Sequence, residues 1–151
     1  MNISSDHLGI VPPPADVEPG RGSAHNCLGE QQCRSARKIE PALNHMLAHL
    51  GEPLCISKLS AIAGVSNSYF FWLFKSATGS TPIDYFIRLR VRRARELLRN
   101  PALSVKATAC LLGYSDQYYF SRVFKSVTGV APRNYRRLFQ NVMSKNQGHR
   151  S

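Results

Sequence analysis

The chain has 151 residues, 43% of them hydrophobic, and a formal net charge of +11. This size suits one domain with a tail, and the hydrophobic fraction is sufficient for a packed core. The longest apolar or aromatic run is the six residues 69–74, and the N-terminus has no basic segment followed by an apolar one. We therefore expect neither a membrane-spanning helix nor a signal peptide.

The positive charge lies outside the first 36 residues. Residues 1–36 carry two basic and four acidic side chains, a net charge of −2, whereas the remainder carries 18 basic and five acidic ones, a net charge of +13. So basic a region favours a polyanionic partner, because phosphates neutralised by a protein release their counterions. A basic surface without a particular partner has the same composition, so charge alone leaves both interpretations open.

Residues 1–36 are predicted to form a disordered N-terminal tail. They contain four prolines and four glycines and show no sustained hydrophobic periodicity. Such a segment buries too little apolar surface to offset the entropy lost on ordering.

Helical periodicity begins at about Arg37, where apolar residues recur at three- and four-residue steps. Gly51 ends this predicted first helix. A first unit follows over residues 54–79. It consists of a short helix, a turn at 64–66 and a second helix that Gly79 closes.

A long linker helix is predicted over residues 82–99, because a proline starts it and an Asn-Pro pair ends it. A second unit over 104–129 then repeats the order of the first, with its turn at 113–115. Pro132 starts a last helix with a basic stretch. Residues 141–151 are predicted to be a polar C-terminal tail.

The two units are an internal repeat. Gly64 and Gly113 are 49 positions apart, and one extra residue in the second turn changes the spacing to 50. At that spacing the matched residues are Phe70 and Phe120, Phe74 and Phe124, Lys75 and Lys125, Thr78 and Thr128, Gly79 and Gly129, Pro82 and Pro132, and Tyr85 and Tyr135. Each unit is a short helix, a turn containing glycine and a second helix, which is the layout of a DNA-reading helix-turn-helix.

The second helix of the second unit is amphipathic. Its predicted buried stripe is formed by Phe120, Val123, Phe124 and Val127. The opposite face and the first turn carry Gln117, Tyr118, Ser121, Arg122 and Lys125. An arginine suits guanine and a glutamine suits adenine, whereas Lys125 is expected to contact phosphate. An ordinary solvated helix face is the alternative.

The corresponding helix of the first unit has an aromatic outer face. Its predicted buried stripe is formed by Phe70, Leu73, Phe74 and Ala77. Its outward positions are Ser68, Phe71, Trp72 and Lys75. Large aromatic side chains on a solvent face require a partner. Thymine methyls or sugar edges are one such partner, and a neighbouring helix, the tail or another protein is the other.

Residues 113–125, followed by Thr128-Gly129, Pro132 and Tyr135-Arg136, resemble the signature of AraC/XylS-type transcription regulators. A pattern of Arg90, Ala94 and Leu97-Leu98 in the linker helix fits the same family. The resemblance implies an all-α, seven-helix domain over residues 37–140, with two helix-turn-helix subdomains joined by the long linker helix. It also implies double-stranded DNA as the partner, with RNA polymerase as a candidate second partner.

The resemblance further implies which residues read DNA. In the first unit these positions are Asn67, Ser68, Phe71 and Trp72, with Lys75 beside them, and in the second they are Gln117, Tyr118, Ser121 and Arg122, with Lys125 beside them. The family usually has polar or basic residues where this chain has Phe71 and Trp72, and an apolar core residue where it has Thr108. Most similar regulators carry a separate sensor domain, which 36 residues are too few to form. The protein therefore acts alone or is the C-terminal part of something longer.

We predict a sequence-specific transcription regulator that inserts two recognition helices into adjacent major grooves of double-stranded DNA. The linker helix would span ~27 Å, and successive major-groove faces lie ~34 Å apart. The alternative is a protein-interaction or non-specific DNA-binding module that has kept the fold but lost operator reading. The aromatic pair favours this alternative, whereas Arg122 and the net charge oppose it.

Catalytic and metal-binding patterns are weak. His45 and His49 are four positions apart on the first predicted helix, but no third ligand accompanies them. The four cysteines form no C-x-x-C pair, which predicts free thiols in a reducing cytoplasm. We therefore expect a cytoplasmic protein that is not an enzyme and that has no cofactor, metal or small-molecule ligand.

Overall fold

The computed structural model describes residues 27–147, and these form seven α-helices without a strand among them. The helices are α1 (Cys27–Ala48), α2 (Ile56–Ile62), α3 (Asn67–Thr78), α4 (Pro82–Leu97), α5 (Val105–Leu111), α6 (Gln117–Thr128) and α7 (Pro132–Gln147). The predicted all-α architecture of two helix-turn-helix units around one linker helix is confirmed.

Both predicted tail boundaries are wrong. Helix α1 begins at Cys27, whereas the disordered tail was expected to extend to residue 36. The prolines and all but one of the glycines of that tail precede Cys27, so they do not disfavour a helix over residues 27–36. Helix α7 continues to Gln147 because residues 141–147 contain neither glycine nor proline. The remaining parts of the two predicted tails, 1–26 and 148–151, lie outside the described residues.

The repeat is visible at the level of single hydrogen bonds. The Thr78 hydroxyl donates to the Phe74 carbonyl over 2.8 Å, and the Thr128 hydroxyl donates to the Phe124 carbonyl over the same distance. The side chain of Ser66 caps α3, and the carboxylate of Asp116 caps α6. The duplicated sequence therefore gives duplicated helix ends.

Two hydrophobic cores lie on either side of α4. Phe86 and Leu89 of α4 belong to the first core, whereas Val91, Ala94 and Leu98 belong to the second. The first core also contains Ile39, Ala42, Met46, Leu59, Phe70, Leu73 and Phe74, and the second contains Ala109, Leu112, Phe120 and Phe124. Each unit thus packs against its own part of the linker helix.

The second core is smaller than its sequence pattern predicts. Val127 was expected to be buried but is 44% exposed, and Val123 is half-buried. In the first unit α1 packs along α3, whereas α6 packs against α4, α5 and α7. Thr108 is fully buried there, and its hydroxyl donates to the Ser104 carbonyl over 3.0 Å. This bond satisfies the polar atom at a position where the family usually has an apolar residue.

Arg90 joins the two units. Its Nε donates to the Leu50 carbonyl over 2.8 Å, and its Nη2 donates to the Glu52 carbonyl over 2.5 Å. The guanidinium also lies over two rings, 4.5 Å from the centroid of Phe86 and 5.1 Å from that of Tyr114. Tyr114 belongs to the turn of the second unit, so one side chain contacts the end of the α1 region, the linker helix and the second turn.

The backbone of the α1–α2 loop, which precedes the first unit, also touches the turn of the second unit. A Cβ on Gly113 would lie 2.3 Å from the Gly51 carbonyl oxygen, and the φ of Gly113 is +76°. Only glycine fits there, because a side chain would be strained by the backbone conformation and would collide with a carbonyl. The α1–α2 loop and the α5–α6 turn therefore form a tight contact beside Arg90.

Gly113→Ala is expected to destabilise the fold more than Gly64→Ala. Gly64 occupies the equivalent turn with a φ of +68°, and a Cβ there meets nothing within 4 Å. Gly64→Ala should lower the free energy of unfolding by about 1–2 kcal/mol through backbone strain. Gly113→Ala should lower it by about 1–3 kcal/mol more because of the collision. Urea denaturation measures both values, and equal losses would contradict a close contact between the units.

Candidate nucleic-acid interface

The outer face of α6 carries the polar and basic side chains that the sequence predicts. Tyr118 is 79% exposed, and Arg122 and Lys125 are also exposed. Gln117 and Ser121 are half-buried, and the Ser121 hydroxyl donates to the Gln117 carbonyl over 2.8 Å. The face is therefore free to meet a ligand through its three most exposed members.

Tyr119 is a candidate site residue that sequence reasoning missed. It is 51% exposed, and the Arg122 guanidinium lies 6.0 Å from the centroid of its ring. Its ring also neighbours that of Tyr114, at 6.0 Å between centroids. Contact with an aromatic face restricts an arginine side chain, so Tyr119 helps to orient Arg122. The spacing of three residues between the two was the available signal.

The outer face of α3 is aromatic, as the sequence predicts. Ser68 and Lys75 are exposed, Trp72 is 39% exposed and Phe71 is half-buried. The Trp72 and Tyr69 rings stack, with centroids 5.6 Å apart and an angle of 16° between their planes. Tyr69 packs against the first core. The indole of Trp72 thus stacks on a tyrosine ring that itself packs against the first core.

Asn67 is engaged inside the first unit. Its Oδ1 accepts a hydrogen bond from the Ser60 hydroxyl over 2.5 Å, and its Nδ2 donates to the Ser57 hydroxyl over 3.4 Å. These bonds connect the start of α3 to α2. Of the four reading positions that the family resemblance assigns to this unit, Asn67 is therefore the one whose side chain is hydrogen-bonded to a neighbouring helix.

The surface is strongly positive. Residues 27–147 contain 18 Lys or Arg and six Asp or Glu, a net charge of +12. Between these residues the only ion pair joins Arg93 to Glu96, at 2.7 Å. The helices α2, α3, α5 and α6 contain no acidic residue. Both helix-turn-helix units consequently present unpaired cations, and Asp116, which caps α6, is the one acidic residue within the two units, which suits a polyanion.

The arginines of α4 and the turn that follows it have different roles. Arg90 is committed to the junction between the units, and Arg95 Nε donates to the Tyr135 hydroxyl over 3.2 Å. The Arg99 guanidinium lies 4.8 Å from the centroid of the Phe139 ring. Arg88 and Arg92 are exposed. Part of the positive charge therefore stabilises the packing of α7, and part faces solvent.

The two histidines form a packed pair. The rings of His45 and His49 stack with centroids 4.0 Å apart, and His49 Nδ1 lies 2.8 Å from the His45 carbonyl oxygen. Burial lowers the pKa of His45 below its ordinary value, and the neighbouring His49 lowers it further. Among residues 27–147 no group of three or more His, Cys, Asp or Glu side chains is placed to hold a metal ion. This geometry matches the interpretation of packed histidines.

The cysteine thiols at positions 33, 55 and 110 are free and exposed. No helix between residues 27 and 147 is long and apolar enough to span a membrane.

A family profile described as a helix-turn-helix domain matches residues 59–138. The chain is 38% identical over 92 residues to the MmsAB operon regulatory protein of Pseudomonas aeruginosa, covering 61% of this chain and 30% of that protein. It is 34% identical over 92 residues to the probable transcriptional regulator LumQ of Photobacterium leiognathi, covering 61% of this chain and 37% of that protein. The chain thus spans about a third of the length of these relatives.

Solved structures share the fold. A transcriptional regulator of Chromobacterium violaceum with an AraC-type DNA-binding domain superposes with a TM-score of 0.66 at 30% identity, covering 71% of this chain and 96% of that one. The DNA-binding domain of AdpA in complex with a target DNA superposes with a TM-score of 0.65 at 29% identity, covering 69% of this chain and 94% of that one.

The seven helices of residues 27–147, the duplicated turns and the positive charge of the two units define a double helix-turn-helix DNA-binding domain. The chain belongs to the AraC/XylS-type family of transcription regulators, whose members are DNA-binding proteins rather than enzymes. The predicted family is confirmed.

Proposed function

We propose that this chain binds a specific double-stranded DNA sequence and regulates transcription from it, with α3 and α6 in adjacent major grooves. The observation that carries the proposal is the outer face of α6, where Tyr118, Arg122 and Lys125 are exposed on a helix-turn-helix without a nearby carboxylate other than the capping Asp116. Asp116 is already engaged, since it accepts the amide hydrogens of Tyr118 and Tyr119.

The contact that we propose for each side chain follows from the hydrogen-bonding groups of the base edges. Arg122 would bond guanine through its two terminal nitrogens, and Gln117 would bond adenine from the first turn of α6. Lys125 and Lys75, one turn further along each helix, would contact phosphates. Ser68 would be the polar contact of α3. Asn67 would reach a base only by releasing its bond with Ser60.

The spacing of the two units supports a single binding event on DNA. Helix α4 has 16 residues, which corresponds to ~24 Å, and its flanking turns add to that length. Successive major-groove faces lie ~34 Å apart. Because Arg90 and the Gly51–Gly113 contact hold the units together, α3 and α6 would enter the DNA as one rigid reader.

RNA polymerase as a partner remains an expectation of the family resemblance, and a cytoplasmic location remains an expectation from the cysteine pattern. The relatives named above include an operon regulatory protein. By this likeness we propose that the chain takes part in regulating an operon.

The full chain should bind its preferred DNA far more tightly than random DNA, and the affinity should fall steeply with salt. Sites selected from a random pool can be titrated by gel shift against random-sequence competitor at several salt concentrations. Specific sites are commonly preferred over non-specific DNA by about 10³-fold or more. Equal affinity for the selected site and the competitor would instead indicate the non-specific or protein-interaction module.

Arg122→Ala is expected to relax specificity at one base pair of the selected site. The loss of a two-pronged contact with guanine should cost about 1–3 kcal/mol at that position and little elsewhere. Arg34→Ala is the matched control, because it removes the same charge from an exposed position of α1. Comparison of the sites selected by the two variants measures the effect. Unchanged base preference and affinity in Arg122→Ala would remove Arg122 from the reading residues.

A further inference from the structure

The outer face of α3 holds two large aromatic side chains that the first core does not use. Trp72 is 39% exposed and Phe71 is half-buried. Among the described residues, neither belongs to the first core or to the partly buried side chains that pack against it. Exposed aromatic surface promotes aggregation unless a binding partner covers it. The exposed aromatic pair therefore indicates a ligand-binding surface.

The Trp72 part of this aromatic face is supported by a neighbouring ring. The Trp72 indole stacks on Tyr69, and the Tyr69 ring is held against the first core. Because the indole is supported in this way, little side-chain entropy would be lost when it contacts a ligand. The indole therefore has its binding position before a ligand arrives, which suits it to discriminating between ligands of similar shape.

The occupant of this face follows from the repeat and from the charge around it. At the spacing of 50 residues, Phe71 corresponds to Ser121 and Trp72 to Arg122, which lie on the outer face of α6. Lys75 lies one helical turn from both members of the aromatic pair on α3, and α3 contains no acidic residue. An aromatic pair beside an exposed cation suits the major groove, where apolar groups lie between two rows of phosphates.

The apolar group that the major groove offers is the methyl at C5 of a pyrimidine. Phe71 has no hydrogen-bonding group, and Trp72 has only its indole N–H, so the pair is unsuited to reading base edges by hydrogen bonds. We infer that Trp72 and Phe71 recognise C5-methyl groups, so that the half-site under α3 is read by the positions of its 5-methylpyrimidines. This inference rests on the proposed DNA-binding function and adds the chemistry by which the first unit selects its half-site. Thymine and 5-methylcytosine carry the same group.

The test removes and restores single methyl groups in a selected operator. The half-site whose base preference changes in Arg122→Ala is assigned to α6, and the other half-site to α3. Deoxyuridine replaces thymidine in one half-site at a time, which deletes the methyl without changing base pairing. In the α3 half-site, each contacted methyl should be worth about three- to fivefold in affinity. In the α6 half-site, the same replacement should change the affinity less than about twofold.

Protein variants then assign the effect to the aromatic pair. Trp72→Ala should lose most of the preference for thymine over uracil operators, and Trp72→Arg should do the same if alanine impairs folding. Leu138→Ala is the matched control, since it removes an exposed apolar side chain of α7, outside both recognition helices, and should leave the methyl effect in the α3 half-site intact. At a position where thymine is preferred over cytosine, 5-methylcytosine should regain part of the lost affinity, which separates the methyl from the rest of the base.

The outcomes distinguish failure of the methyl-recognition inference from failure of the proposed DNA-binding function. If the wild-type chain prefers its operator over random DNA but binds thymine and uracil versions equally, methyl recognition is wrong and the proposed function stands. The aromatic face would then belong to a protein partner. If no selected site outcompetes random DNA, the proposed function itself fails. A methyl effect that persists in both Trp72 variants would exclude Trp72 as its source.

Discussion

The Arg90 guanidinium bonds two carbonyls of the α1–α2 loop while it lies over rings of α4 and of the second turn. The arrangement is possible because Gly51 and Gly113 let the two turns approach until their backbones touch. The two carbonyls accept hydrogen bonds from the guanidinium, which at the same time lies over the two rings. Burial raises the pKa of Tyr114, while the positive charge of Arg90 opposes that shift. The relative position of α3 and α6 depends on this junction.

On this common frame the two units carry different surfaces. The threonine hydrogen bonds at the C-terminal ends of α3 and α6 and the buried phenylalanines are the same, so the repeat keeps these features of the fold. The outer faces differ: α6 presents Tyr118 and Arg122, and α3 presents Phe71 and Trp72. Because both faces are fixed to one block, an aromatic unit and a polar unit would read neighbouring grooves by different chemistry. One would depend on methyl positions and the other on hydrogen bonds.

Periodicity and capping residues were sufficient to predict the helices, because each depends on local sequence. The outer faces of α3 and α6 followed from the same periodicity. Contacts between distant segments were beyond that reasoning. The role of Arg90, the bond between Asn67 and Ser60 and the support of Arg122 by Tyr119 depend on how the elements pack. The lengths of α1 and α7 could not be predicted from overall composition, because each terminal segment of the sequence contains helix-forming residues together with prolines or polar residues.

The central claim is that the Arg90 junction makes the two units one reader with a fixed spacing. The most direct measurement is the affinity of the full chain for selected operators in which one to five base pairs are inserted between the half-sites. A rigid reader should lose most of its specific affinity at the first insertions, whereas Arg90→Ala should tolerate them better than the wild type. Equal affinity of the wild-type chain for every spacing would show that the units move independently, and would contradict the account.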